Sequence, residues 1–355
     1  MKTKRFVSGP AARRRGETWA CGWMMVVVLA IPAGWGAEPL LLSGDWTVRP
    51  PQTPRYIHSE LLSPGVHFRL ASYNLENFTD GLGMEETNRT PEQAEVHARA
   101  AASCLAEINA DVVVLQEVEN PTMAEKLNGS FSAPYPIVAL TKFGRGRPLL
   151  DKLNLAVLSR LPIRRLREIS FDGLQGMERP PRGLLNFELE LEPGRKLLVY
   201  VVHLKSNYGD PVTNIAKRRH ALRIAREDAD RIMARDPAIR WEVVVAGDMN
   251  VDPDDPLFAK DISLQPFMDW ADVWRGWPKE SRITLPTRHG DPLLEFPAAT
   301  FDRFIVSPEL TNEPWKALAP GVLPKGVNTA DVTVLPGTTS EHVSDHYPVY
   351  LDFQR

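Results

Sequence analysis

The stretch Glu242-Val243-Val244-Val245-Ala246-Gly247-Asp248-Met249-Asn250-Val251-Asp252-Pro253 decides how the rest of the chain is read. Three consecutive valines mark a buried strand, and Gly247 ends it. Asp248 and Asn250 lie two residues apart, so an extended backbone aims both side chains the same way. A buried strand that delivers a carboxylate and a carboxamide at its end suits an anion, a cation or both. A plain Asx turn uses the same residues, so the reading depends on whether other strands finish in the same manner.

Several do. A strand pattern from Val66 to Tyr73 runs into Asn74, Asp111 to Leu115 empties into Gln116-Glu117, and Lys196 to Val202 passes into His203-Leu204-Lys205-Ser206. Leu153 to Leu158 and Leu184 to Leu191 are further strands, and Pro193-Gly194 joins the latter to the Lys196 strand as a hairpin. Toward the C-terminus the order reverses. Asp302-Arg303 precedes the apolar run Phe304 to Val306, and Ser344-Asp345-His346 precedes Val349 to Phe353. If these last strands lie antiparallel to the earlier ones, all the polar groups reach one rim. A purely parallel doubly wound sheet would separate them, so mostly antiparallel mixed sheets are expected.

Helices are expected from Thr90 (cap) and Pro91 to about Asn109, and from about Val212 to Arg235. Arg218, Arg219 and Arg223 on the second read as a solvated face. Asp261 to Thr300 is irregular and carries Trp270, Trp274 and Trp277, which either stack on a substrate ring or cap the core.

Composition bounds the partners. The chain has 355 residues, 43% hydrophobic and 25% charged, the balance of a globular protein. Residues 1–37 have basic Lys2, Lys4, Arg5 and Arg13 to Arg15, then the uncharged stretch Trp19 to Trp35, then small residues Gly36 and Ala37. That order predicts a cleaved signal peptide and a secreted or periplasmic product. Its loss would remove six basic residues and one acidic one, taking the net charge from −3 to −8. That balance argues against a broad polybasic surface that holds nucleic acid by counterion release alone, but not against meeting one phosphate at a time. Cys104 would be left without a cysteine partner, as a small buried side chain. Residues 38–65 are rich in proline and read as a leader lying on the domain or loose; 66–355 form the domain.

The rim then offers carboxylates Glu117, Asp248, Asp302 and Asp345, amides Asn74 and Asn250, and histidines His203 and His346. Hard oxygen donors without a thiolate or a close histidine cluster select Mg²⁺, with Mn²⁺ or Ca²⁺ as alternatives, over zinc. Phosphoryl chemistry uses these parts: a cation on the phosphate oxygens, a base for water and donors for the leaving oxygen.

Taken together, Ser-Tyr-Asn74-Leu-Glu-Asn77, Leu-Gln-Glu117-Val-Glu, Val-His203-Leu-Lys-Ser, Gly-Asp248-Met-Asn250, Phe-Asp302-Arg-Phe and Ser-Asp345-His346-Tyr-Pro-Val resemble the endonuclease/exonuclease/phosphatase superfamily. The resemblance spans about Val66 to Phe353. It implies an α/β (α+β) four-layer α/β/β/α sandwich, two mostly antiparallel mixed sheets flanked by helices. It further implies a Mg²⁺-dependent hydrolase in which Glu117, Asn74 and Asp345 serve the metal. Asp248 would orient water, Asn250 hold a phosphate oxygen, Asp302 orient His346, and His203 contact the phosphate or leaving oxygen. Lys205, Arg145 and Trp274 are the candidates for touching substrate. Lys205-Ser206 and Asp252-Pro253-Asp254-Asp255-Pro256 are similar to bacterial exported nucleases, so a monomeric enzyme acting on DNA or RNA, with no stable membrane partner, is the leading expectation. A phosphatase or a phospholipid phosphodiesterase with the same site is the alternative.

Overall fold

The computed structural model describes residues 44–62, 65–82, 89–143 and 153–355. The expected signal peptide, Arg145 and most of the loop around it lie outside these. In chain order come β1 (Thr47–Arg49), β2 (Gln52–Tyr56), β3 (His67–Phe78), α1 (Pro91–Ile108), β4 (Val112–Val118), α2 (Pro121–Gly129) and β5 (Ile137–Leu140). They are followed by β6 (Asn154–Ser159), β7 (Ile163–Ser170), β8 (Leu184–Glu192), β9 (Arg195–His203) and α3 (Pro211–Arg235). The rest are β10 (Arg240–Asp248), β11 (Ala271–Asp272), α4 (Lys279–Arg282), β12 (Asp302–Val306), β13 (Lys316–Val322) and β14 (Val349–Gln354).

These strands make two seven-stranded sheets, ordered β1-β7-β8-β9-β10-β12-β11 and β13-β14-β3-β4-β6-β5-β2. Both are mixed: β9/β10 and β3/β4 pair in parallel, and the other neighbours are antiparallel. Strand alternation shows how they stack. In β4, Val112 and Val114 enter the apolar layer between the sheets, while Val113 and Leu115 pack under α1 and α2. In β9 and β10, Leu197, Val199, Val244 and Ala246 enter that same middle layer, while Leu198, Tyr200, Val243 and Val245 face α3. Side chains buried on both faces explain why these strands read as continuous apolar runs. The architecture is the expected four-layer sandwich.

The helices start where their caps dictate. The Thr90 hydroxyl and the Gln93 side chain form a capping box, with Pro91 in the first turn. Asp210 caps α3 ahead of Pro211. Cys104 is buried in α1, as expected.

Of the two alternatives for the leader, residues 47–56 take the first and lie on the domain, because β1 pairs with β7 in one sheet and β2 with β5 in the other. They escaped a periodicity reading because edge strands are largely exposed and so lack an apolar alternation. Arg218 does not belong to a solvated face. It is buried and bonds Lys205 O, Asn207 Oδ1, Ser263 Oγ and Asp261 Oδ2, tying the loop after β9 to the loop after β10.

Gly247 shows why β10 can deliver its polar end. Its φ is +136°, and a Cβ there would lie 2.0 Å from Val202 O on the neighbouring strand. Gly247→Ala is therefore expected to lower stability by about 3 kcal/mol or more. Urea unfolding followed by circular dichroism checks this; a midpoint like that of the parent chain would contradict it.

Candidate active site

Register brings the polar ends together. Within one sheet, Asp248 at the end of β10 stands beside His203 at the end of parallel β9 and opposite Asp302 at the start of antiparallel β12. The second sheet supplies Asn74 from β3 and Glu117 from β4, each at a break in the β3/β4 ladder. Left-handed backbone concentrates here: Glu76, Asn77, Glu117 and Asn250 have φ of 41°, 55°, 65° and 53°. Such conformations are costly for residues with a side chain, and they re-aim the strand ends toward the cleft.

The two sheets meet at Asn74, whose Nδ2 donates to Asp248 Oδ2 at 3.0 Å and to Glu117 Oε1 at 3.3 Å. Its Oδ1 accepts from Glu76 N. Asp248 also accepts from Asn250 N at 2.8 Å and Asn250 Nδ2 at 3.0 Å. His203 Nε2 lies 3.5 Å from Asp248 Oδ2 and 3.8 Å from Glu117 Oε1. His346 Nδ1 lies 2.7 Å from Asp302 Oδ2, and its Nε2 is 3.9 Å from Asp248 Oδ2 and 3.8 Å from Asp345 Oδ1. Ser344 completes the frame: its hydroxyl donates to Asn74 O and accepts from His346 N.

Electrostatics separate the two histidines. Burial opposes charge on His346, but Asp302, Asp345 and Asp248 outweigh it and hold the imidazolium well above its ordinary range. Burial, then Arg182, His346 and Lys205, push His203 well below that range. Burial raises the Asp248 carboxyl to about 7 against the pull of His346. It also raises Glu117, partly offset by the Asn77 N–H.

Among the described residues, no three His, Cys, Asp or Glu side chains converge closely enough to cage a metal. Glu117 is half-buried, and Asp345 lies beside His346. Asn74 in this arrangement braces Glu117 and Asp248 through its nitrogen.

The sequence-based substrate contacts fare differently. Trp274 is corrected: it is fully buried in the layer between the sheets and its Nε1 donates to Asp302 O, so it supports β12 and cannot stack on a ligand. Lys205 sits beside the site, its Nζ bonded to Ser206 Oγ and Tyr208 O. Asp252, from the acidic run after β10, is buried against Arg282 and Arg303, and is therefore a structural ion pair.

Sequence reasoning missed Arg182 and Glu76. Arg182 Nη1 reaches His203 O at 3.5 Å from the segment before β8, and a proline-flanked arginine carries no periodic signal. Glu76 is half-buried beside Arg288 and His342, 3.7 and 3.6 Å away. Burial and then Asp345 push its carboxyl well above the usual range.

Solved structures share this architecture. Truncated TDP2 from Caenorhabditis elegans matches with a TM-score of 0.52 at 18% identity, covering 81% of this chain and 98% of that one. D. rerio TDP2 complexed with a single-strand DNA product matches with a TM-score of 0.54 at 20% identity, over 82% and 100%. Sphingomyelinase C from Streptomyces griseocarneus matches with a TM-score of 0.55 at 21% identity, over 81% and 99%. No curated protein sequence matches the chain. The model of the Endonuclease/Exonuclease/phosphatase family matches residues 71–346, from the middle of β3 to His346. With that match across most of its length, and with the strand ends meeting as described, the chain belongs to the Endonuclease/Exonuclease/phosphatase family.

Proposed function

We propose that this protein is an exported, divalent-metal-dependent phosphodiesterase that hydrolyses nucleic acid. The observation that carries the reading is the convergence of Asp248, His203, Asp302-His346 and Glu117 from five separate strand ends, with Asp248 Oδ2 within 3.9 Å of both histidines. Glu117 and Asp345 would hold Mg²⁺, which when bound neutralises the phosphate oxygens. Asp248, locked by Asn250 and Asn74, orients water and takes its proton. His346, whose Nδ1 is committed to Asp302, presents Nε2 to the phosphoryl oxygens, and His203 presents its Nε2 from the end of β9.

Nucleic acid is favoured as substrate by the Lys205-Ser206 sequence after His203 and by likeness to a TDP2 crystallised with single-strand DNA product. A likeness of similar strength to a sphingomyelinase favours a phospholipid phosphodiesterase as the second reading. The purified protein would be assayed with Mg²⁺ on single-stranded DNA, plasmid DNA, RNA, sphingomyelin and inositol phosphates. The expected result is cleavage of nucleic acid that EDTA abolishes and Mg²⁺ restores. Turnover confined to the lipid or to inositol phosphates would reject the nuclease reading, and turnover unaffected by EDTA would reject the metal.

A further inference from the structure

We infer that Thr284 is a positioning residue for this site, acting through Asp302 and His346 without touching substrate. The inference rests on the proposed hydrolytic role of that pair. Asp302 and His346 are 44 residues apart in sequence, and the 2.7 Å bond between them requires both backbones to be fixed to a fraction of an ångström. The Asp302 carboxylate does not anchor itself. Its Oδ2 meets His346, and its Oδ1 is buried with no hydrogen-bond partner. Its place is therefore set by its main chain.

That main chain is held by side chains. Asp302 N donates to Thr284 Oγ1 at 3.0 Å, and Asp302 O accepts from Trp274 Nε1 at 3.0 Å. The same Thr284 hydroxyl accepts from Phe301 N at 3.0 Å, while the Thr284 carbonyl accepts from Tyr347 N, the residue after His346, at 2.6 Å. One fully buried threonine thus grips both halves of the pair, through its hydroxyl on one side and its carbonyl on the other. Thr284 is itself fixed, its N–H donating to Ala299 O beside the Leu285–Ala299 bridge. Replacing the hydroxyl by a methyl of the same size leaves two buried N–H groups without an acceptor, and β12 must shift to satisfy them. Displacements of about 1 Å at reacting groups cost on the order of 10²-fold in rate.

Thr284→Val, Thr284→Ser and His346→Ala are compared with the parent chain by two readouts. In proton NMR, the low-field Nδ1–H resonance of His346, assigned by its loss in His346→Ala, is expected to move or vanish in Thr284→Val and to persist in Thr284→Ser. In hydrolysis of the best substrate, Thr284→Val is expected to lose roughly 10- to 100-fold in kcat with KM little changed. Thr284→Ser is expected to stay within about threefold of the parent, and Thr284→Val is expected to cost nothing further in a His346→Ala background. Should Thr284→Val not fold, Thr284→Ala carries the same comparison. An unchanged resonance in the Val or Ala variant would overturn the inference, as would equal losses with and without His346. A chain that hydrolyses no phosphodiester yet shows the resonance pattern would sink the proposed function and leave the positioning role standing.

Discussion

His346→Ala is expected to lower kcat/KM for phosphodiester hydrolysis by about 10³-fold, within the 10²- to 10⁴-fold range of a placed acid or base. Its Nε2 faces the Asp248 carboxylate across a gap of 3.9 Å, while its other nitrogen is committed to Asp302. Asp248→Ala should fall by a similar factor. The double variant should be little worse than either single one, because groups that act on one transition state fail together. Steady-state kinetics on the best substrate, with circular dichroism to confirm the fold, give the answer. Activity within a few-fold of the parent in either single variant would remove the reaction centre proposed for this cleft.

Glu117→Gln is expected to show the opposite behaviour in stability and in activity. Burial already raises this carboxyl, so its ionised form is a cost to the empty fold. The amide oxygen of glutamine can still accept from Asn77 N, as the Glu117 carboxylate does at 2.6 Å, and Asn74 Nδ2, which loses Glu117 Oε1 as an acceptor, keeps Asp248 Oδ2. Without metal the variant should therefore melt at the same temperature as the parent or higher. Added Mg²⁺ should raise the parent's midpoint and leave the variant's unchanged, since only binding to the folded state stabilises it. Activity should drop by about 10³-fold, with the Mg²⁺ requirement shifted to higher concentration. Equal Mg²⁺ responses in both proteins would place the cation elsewhere.

The sandwich and its rim were legible because both rest on short-range signals. Valine runs at 112–114 and 243–245 announce buried strands, and the polar residues at their ends stand one after another in sequence. The reversal at Asp302 and Ser344 carried the antiparallel placement that the register of β12 and β14 bears out. What stayed hidden depends on long-range packing. Thr284 lies in a segment without periodicity, and nothing local shows that its hydroxyl meets a strand 18 residues on. Trp274 was open to two readings, and only the layer between the sheets decides for burial. Arg218 belongs to a helix face that looks solvated until the loop carrying Asp261 and Ser263 folds over it.

The ten residues from Thr47 to Tyr56 stitch opposite layers, one strand to each. The family match begins only at residue 71, beyond that seam. Sliding one layer over the other must first unzip β1 or β2, so the mutual alignment of Glu117 and Asp248, which come from different layers, is guarded by a hem on the molecule's flank that takes no part in the chemistry.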